Sequence, residues 1–322
     1  MHWIYRNRAS AILYEFLITL DKSTVFLLPS NSCPILIATF CKAGIKVRLT
    51  DIDDQFYLIN PSHVFSSLED AKTPLGLLFI RTYGFINDQS NFFSKIKSQF
   101  PNTVIIDDRC LAIPSFEVDE ISDPNVDLIL FSSGYSKVVE LGFGGYGLTQ
   151  KQINPRKHAN LEFNKSDHQL LIDHFRDSLD NGTPFEYPNS NWLDLRTPAN
   201  SFLDYQSQVT SGLHDAASHK SKINAIYHSE MSGNPSIQLL SPSYWNWRFC
   251  ILSDKKEQIL KNIFSNNYFA SSHYQPVDPF LGFKCSPVAF TLHQNVINLF
   301  NDFRITVDDA HSISDIVNHT VS

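Results

Sequence analysis

Lys137 stands between an apolar run that ends in serine and a turn rich in glycine. Leu128, Ile129, Leu130, Phe131 and Ser132 come before it; Gly142, Phe143, Gly144 and Gly145 follow. A lysine amine placed there, partly desolvated and next to a cationic ring, can capture a carbonyl as a Schiff base. A serine five residues earlier can hold a phosphate. That pairing points to pyridoxal 5'-phosphate. A second signal lies upstream, where Val104, Ile105, Ile106, Asp107 and Asp108 read as a buried parallel strand ending in two carboxylates. In open α/β sheets, ligands bind outside the carboxyl ends of the strands, and a pyridoxal enzyme needs an acidic partner for its ring nitrogen there. One of the two aspartates suits that role.

The elements that must position these residues can be read from the alternation of short apolar runs with helix-like stretches between residue 10 and about 150. Thr24 to Leu28, Lys46 to Leu49, Leu77 to Ile80, Val104 to Ile106 and Leu128 to Phe131 read as strands. Such alternation predicts a parallel sheet with crossover helices. Residues 151 to 200 are polar and punctuated by Asn154-Pro155, Asn181-Gly182, Pro184, Pro188 and Pro198, which predicts a helix followed by a long loop. Residues 203 to 231 return to helix. Beyond them a strand is expected within Trp245 to Leu252, a helix over Lys255 to Phe264, and a final helix from Val307. The expected organisation is a large domain over residues 1–200 and a smaller α/β domain, joined by a helix-rich linker, over residues 201–322.

In this order the segments resemble the fold-type I, pyridoxal phosphate-dependent sugar aminotransferases of the DegT/DnrJ/EryC1/StrS family. The resemblance runs from Ala9-Ser10-Ala11 through Leu27-Leu28-Pro29, Cys33-Pro34, Ala43-Gly44, Asp51-Ile52-Asp53 and Thr82-Tyr83-Gly84-Phe85. It continues through Asp107-Asp108, Phe131-Ser132 to Lys137, Gly144-Gly145, His273-Tyr274-Gln275-Pro276 and Asn298-Leu299-Phe300. It implies a three-layer α/β/α large domain with a mostly parallel sheet. It further implies Lys137 as the lysine that binds the cofactor and later moves the substrate proton, and Asp108 as partner of the ring nitrogen. Ser132, Ser10 and the Ala11 amide are the implied phosphate ligands. A helix N-terminus with free N–H groups attracts a phosphate dianion, and Ser10 opens the helix-like run from Ala11 to Leu20. Cys33 falls where an aromatic often stacks on the cofactor ring; Tyr83, His273 and Tyr274 fall on the substrate side. The implied reaction is amino transfer to a keto nucleotide-sugar, with glutamate as donor, for polysaccharide or amino-sugar synthesis by a cytoplasmic homodimer.

Three departures from the family pattern stand out. Leu111 occupies a place where many members have glutamine or histidine, and Arg81 replaces a common histidine. The asparagine motif that reaches a neighbouring subunit's phosphate has no clear match, Asn189 to Arg196 being the nearest region.

Two rival motifs weigh less. Gly142, Gly144 and Gly147 satisfy G-x-G-x-x-G, with Glu162 about twenty residues beyond, but the stretch from Ser132 to Leu141 separates them from the strand that a dinucleotide fingerprint must follow. Asp51 and Asp53 form a D-x-D pair, with which a metal-dependent glycosyltransferase could hold a nucleotide sugar; the plain alternative is a strand end capping a turn. A non-catalytic relative is the third possibility, opposed by the retention of Lys137 and Asp108.

Composition narrows the field further. Apolar residues make up 43% of the 322 residues and phenylalanine alone numbers 25, enough for a substantial core. A formal charge of −7 without Lys/Arg clusters argues against nucleic acid and anionic membranes as partners. Five widely spaced cysteines suit reduced thiols in a reducing compartment. The 12 histidines show no zinc-binding spacing, so no metal is expected.

Overall fold

The computed structural model describes residues 1–153 and 163–322. Asn154, Pro155 and Glu162, named above, lie outside the described residues. The chain begins with β1 (His2–Arg6) and α1 (Ala9–Leu17), then β2 (Val25–Pro29), α2 (Pro34–Ala43), β3 (Lys46–Thr50), α3 (Pro61–Glu69) and β4 (Leu75–Ile80). It continues through α4 (Ser90–Gln99), β5 (Val104–Asp108), α5 (Val118–Ile121), β6 (Leu128–Ser132) and β7 (Gly145–Thr149). The sheet order is β1-β7-β6-β5-β4-β2-β3. The five strands β2 to β6 pair in parallel, while β7 runs antiparallel to both β6 and β1.

Side chains alternate across this sheet and feed two cores. Leu28, Leu78, Ile106 and Leu130 pack against Ile12, Leu13, Ile37 and Phe40 of α1 and α2. Their neighbours Leu27, Leu77, Ile105 and Ile129 pack on the other face against Val64, Phe93 and Ile96 of α3 and α4. Successive residues of a strand point to opposite faces, so a strand buried on both sides reads as an unbroken apolar run. The expected α/β/α arrangement is therefore the one observed.

The rest of the chain comprises α6 (Lys165–Asn181), α7 (Phe202–Met231), β8 (Gln238–Leu239), β9 (Phe249–Leu252), α8 (Lys256–Ser265), β10 (Ala270–Ser271), α9 (Pro287–Asn295), β11 (Val296–Leu299) and α10 (Val307–Val321). Strands β10-β11-β9-β8 form an antiparallel sheet. Its core joins Phe249, Ile251 and Ile297 to Ile259 and Ile263 of α8 and to Ile313 and Val317 of α10. Ser201 caps α7, accepting the Asp204 N–H at 3.1 Å. That helix serves both bodies: Tyr205 and Val209 lie in the core of the large sheet, whereas Ile223, Tyr227 and Met231 lie in that of the small one. Among the described residues, no helix is long and apolar enough to cross a membrane.

Two details differ from the sequence reading. The strand β1 was not expected, nor was β7, whose first residues read as part of a glycine-rich turn. The helix α1 starts at Ala9, not at Ser10 or Ala11, and ends at Leu17; extended Arg8 is its N-cap and Ser10 is its second residue.

An ion cluster braces the carboxyl edge of the sheet. Asp107 is fully buried and takes a bidentate contact from Arg81, at 3.0 and 2.9 Å, plus the Arg109 Nε at 2.7 Å. Burial pushes its carboxyl up, but the Arg109 and Arg81 guanidiniums outweigh burial and leave its pKa below the ordinary aspartate value. A lowered folded-state pKa contributes stability above the unfolded value, about 3.9, and that contribution is lost as pH falls through the folded value. Removing one member of a buried ion cluster leaves uncompensated charge, so Asp107→Asn should lower unfolding stability by about 3 kcal/mol at neutral pH. Urea denaturation measures this, and an unchanged midpoint would refute the bracing role.

Candidate active site

Strand pairing gathers the sequence-predicted residues at one edge. The parallel strands β4, β5 and β6 end there in Ile80, Asp108 and Ser132, and Cys33 follows the end of β2 as the N-cap of α2. Because Ser132 pairs with Gly145, and Gly145 with Arg6, the antiparallel strands bring the start of α1 to the same edge. Gly145 permits this approach. A Cβ there would sit 2.3 Å from the Ala9 nitrogen, and one on Gly144, whose φ is 91°, would sit 2.4 Å from the Tyr205 ring.

The two aspartates separate by face. Asp107 is committed to its arginines, while Asp108 accepts the Cys110 N–H at 2.9 Å and lies within the electrostatic reach of Lys137. Burial raises the Asp108 pKa; the Cys110 hydrogen bonds and the lysine charge oppose that rise without cancelling it. This is a carboxylate held out of water and facing an amine. Lys137 is half-buried and has no hydrogen bond or ion pair among the described residues. Its charge also reaches Cys33 and Cys110, so the lysine, Asp108 and both thiols lie within electrostatic reach of one another.

At the start of α1, the Ala11 N–H already donates to the Arg8 carbonyl at 3.1 Å, so the amide implied as a phosphate ligand is partly committed to the helix itself. Ser132 Oγ accepts the Gly134 N–H at 3.3 Å. Arg8 is the residue that sequence reasoning missed. Its Nη1 and the Ser132 Oγ lie 3.3 and 3.5 Å from the same point, where a Cβ on Gly134 would be. The guanidinium donates to the Gly142 carbonyl at 3.0 Å, sits 5.4 Å from the Tyr135 ring centroid, and has no carboxylate partner among the described residues. Its place directly before Ala9-Ser10-Ala11 was the available signal. The region Asn189 to Arg196 docks on its own chain: Asn7 Nδ2 donates to the Arg196 carbonyl at 3.2 Å, and Trp192 and Leu193 are buried in the α1–α2 core.

The substrate-side candidates converge less tightly. Tyr83 is fully buried at φ 55°, with its ring stacked on Trp247 at 6.0 Å and edge-on to His273 at 5.1 Å. Among the described residues, its hydroxyl is one of several buried polar atoms without a hydrogen-bond partner. The His273 Nε2 donates to the Asn31 carbonyl at 2.7 Å, and loss of solvent pushes its pKa down to about 4, so the ring is neutral at physiological pH. Tyr274 is half exposed, with its hydroxyl within hydrogen-bonding reach of the Cys33 thiol.

The D-x-D pair has other work. Asp51 accepts the N–H groups of Val288 and Ala289 at the start of α9, both at 3.0 Å, and Asp53 accepts those of Gln55, Phe56 and Leu58. Both carboxylates cap backbone, which is the plain alternative weighed above. The glycines of the G-x-G-x-x-G match lead into strand β7 and open no helix.

Solved structures share this architecture across the whole chain. A DegT DnrJ EryC1 StrS aminotransferase from Brucella abortus superposes with a TM-score of 0.71 at 14% identity, covering 100% of this chain and 86% of its own. The chain has the fold of these aminotransferases. DesV of S. venezuelae, solved in complex with a ketimine intermediate, gives a TM-score of 0.71 at 16% identity, covering 100% of this chain and 85% of its own. Helicobacter pylori PseC, an aminotransferase involved in the biosynthesis of pseudoaminic acid, gives 0.71 at 14% identity, with 100% and 87% covered. No family profile and no curated protein matches the sequence.

Proposed function

We propose that this chain is a pyridoxal 5'-phosphate-dependent aminotransferase that moves an amino group from an amino acid, glutamate in the first instance, to a keto nucleotide-sugar. The observation that carries the reading is the pairing of Lys137 with the buried Asp108 at the carboxyl edge of the sheet, in a fold held in common with enzymes of this chemistry. The residues fit the cofactor. A buried carboxylate whose pKa is raised gains most from a cationic partner, which a protonated ring nitrogen provides. The first turn of α1, Ser132 Oγ and the Arg8 guanidinium offer N–H and O–H donors and positive charge to a phosphate.

When bound, pyridoxal phosphate supplies an electron sink for the bond broken beside the amino nitrogen. Lys137 would bind the cofactor through its amine, and its Nζ would take and return the substrate proton. Asp108 would keep a proton on the ring nitrogen. Ser132, Ser10 and Arg8 would hold the phosphate, the Ala11 N–H being shared with the Arg8 carbonyl, and Cys33 would line the cofactor site. Tyr83, His273 and Tyr274 form the sugar-side wall, with neutral His273 acting as a hydrogen-bonding group. We assign the active unit as a homodimer in the cytoplasm, with residues 1–200 as the cofactor-binding part and 201–322 as the smaller domain.

The test is spectral. L-glutamate alone should abolish the visible band of the lysine-bound cofactor, because the first half of a ping-pong cycle needs no sugar, and a keto nucleotide-sugar should restore it. A protein that stays colourless with added cofactor and inert to a panel of amino donors would overturn the reading.

A further inference from the structure

Ser136, the residue before Lys137, adopts a φ of 56°. A residue with a Cβ is strained in this left-handed region and stays there only where its surroundings hold it. Two groups hold Ser136, one at each end. Its N–H donates to Glu140 Oε2 at 2.9 Å, and its carbonyl accepts the indole Nε1–H of Trp247 at 2.7 Å. Both holders are themselves fixed. Arg304 donates to the same Glu140 oxygen at 2.9 Å. The Trp247 ring stacks on Tyr83 with 8° between planes, and its carbonyl accepts the ammonium of buried Lys220 at 2.9 Å. The loop closes at its base, where the Leu141 N–H meets the Ser133 carbonyl at 2.8 Å.

We infer that Trp247 and Glu140 are positioning residues for Lys137: they clamp Ser136 in the left-handed conformation and so set the direction in which the lysine side chain leaves its loop. Among the described residues, neither makes a hydrogen bond or ion pair with the lysine. The inference rests on the reading of Lys137 as the cofactor-binding residue, but the clamp can be measured without cofactor.

Trp247→Phe keeps an aromatic ring at this position and deletes the N–H together with the second ring of the indole. In cofactor-free protein, amide hydrogen exchange over residues 134–141 should quicken by about fivefold to tenfold, the worth of one such hydrogen bond, while exchange in the strands of the large sheet stays unchanged. With cofactor, the rate at which Lys137 forms its borohydride-reducible adduct should fall by about tenfold. Glycine adopts positive φ without strain, so adding Ser136→Gly should restore that rate to within about threefold of the wild type. A purely structural loss would not be rescued in this way. Should Trp247→Phe fail to fold, Glu140→Ala, at the surface, loosens the other end and should quicken loop exchange in the same sense. Unchanged loop exchange in both variants, or slowed capture that Ser136→Gly does not rescue, would overturn the clamp. A wild-type protein that forms no adduct would instead sink the proposed function and leave the exchange result to stand alone.

Discussion

Lys137→Ala is expected to yield a folded protein that forms no borohydride-reducible adduct with pyridoxal phosphate and whose amino-transfer rate falls by about 10⁴-fold or more, since covalent capture and proton transfer are lost together. The fold should survive because the side chain is half-buried and makes no hydrogen bond or ion pair among the described residues. One electrostatic consequence follows. The lysine charge lowers the Asp108 pKa against the raising effect of burial, so alanine lets that pKa rise further. Lys137→Arg retains a cation and should be equally unable to form the adduct while keeping Asp108 closer to its wild-type behaviour. Mass spectrometry of the reduced protein decides the matter: an adduct on any other lysine of the alanine variant would remove Lys137 from the role.

The parts of the fold that were legible in the sequence are those buried on both faces. Leu75–Ile80 is a nearly unbroken apolar run, and Val104, Ile105 and Ile106 open another, because helices cover both sides of the sheet. β1 and β7 escaped for the opposite reason. β1 lies at the sheet edge as His-Trp-Ile-Tyr-Arg with two polar ends, and β7 contains Gly145 and Gly147, which look like turn residues although Gly145 is required by the close approach of α1. At the site, Asp108 and Ser132 could be found because each ends a recognisable strand, and Lys137 because it follows one. The separate roles of Asp107 and Asp108 could not be found from the residues alone, as two identical residues on opposite faces differ only in their partners. Arg81, which looked like a loss against a family histidine, is one of those partners. Trp247 gave no local signal, since the carbonyl it holds is 111 residues away in the chain.

Asp108→Asn should separate cofactor binding from turnover. The amide keeps the size of the side chain and leaves the start of α1, Ser132 and Arg8 untouched, so the variant should still take up pyridoxal phosphate and bind it to Lys137. Turnover should fall by about 10² to 10³-fold, the usual effect of deleting one charge that stabilises a transition state, because a neutral group cannot hold the ring nitrogen protonated. The stability of the cofactor-free protein should move the other way. Burial raises the Asp108 pKa, and a carboxyl raised by folding costs stability once pH exceeds its unfolded value and the group is driven to ionise. At neutral pH burial of Asp108 therefore costs the wild-type apoprotein stability that asparagine restores. Urea denaturation should show Asp108→Asn to be at least as stable as the wild type, whereas Asp107→Asn is clearly less so. Opposed effects on stability and catalysis are the mark of a residue kept for chemistry. Near-normal turnover in Asp108→Asn would assign the ring nitrogen to another group, and a loss of stability matching that of Asp107→Asn would make both aspartates structural.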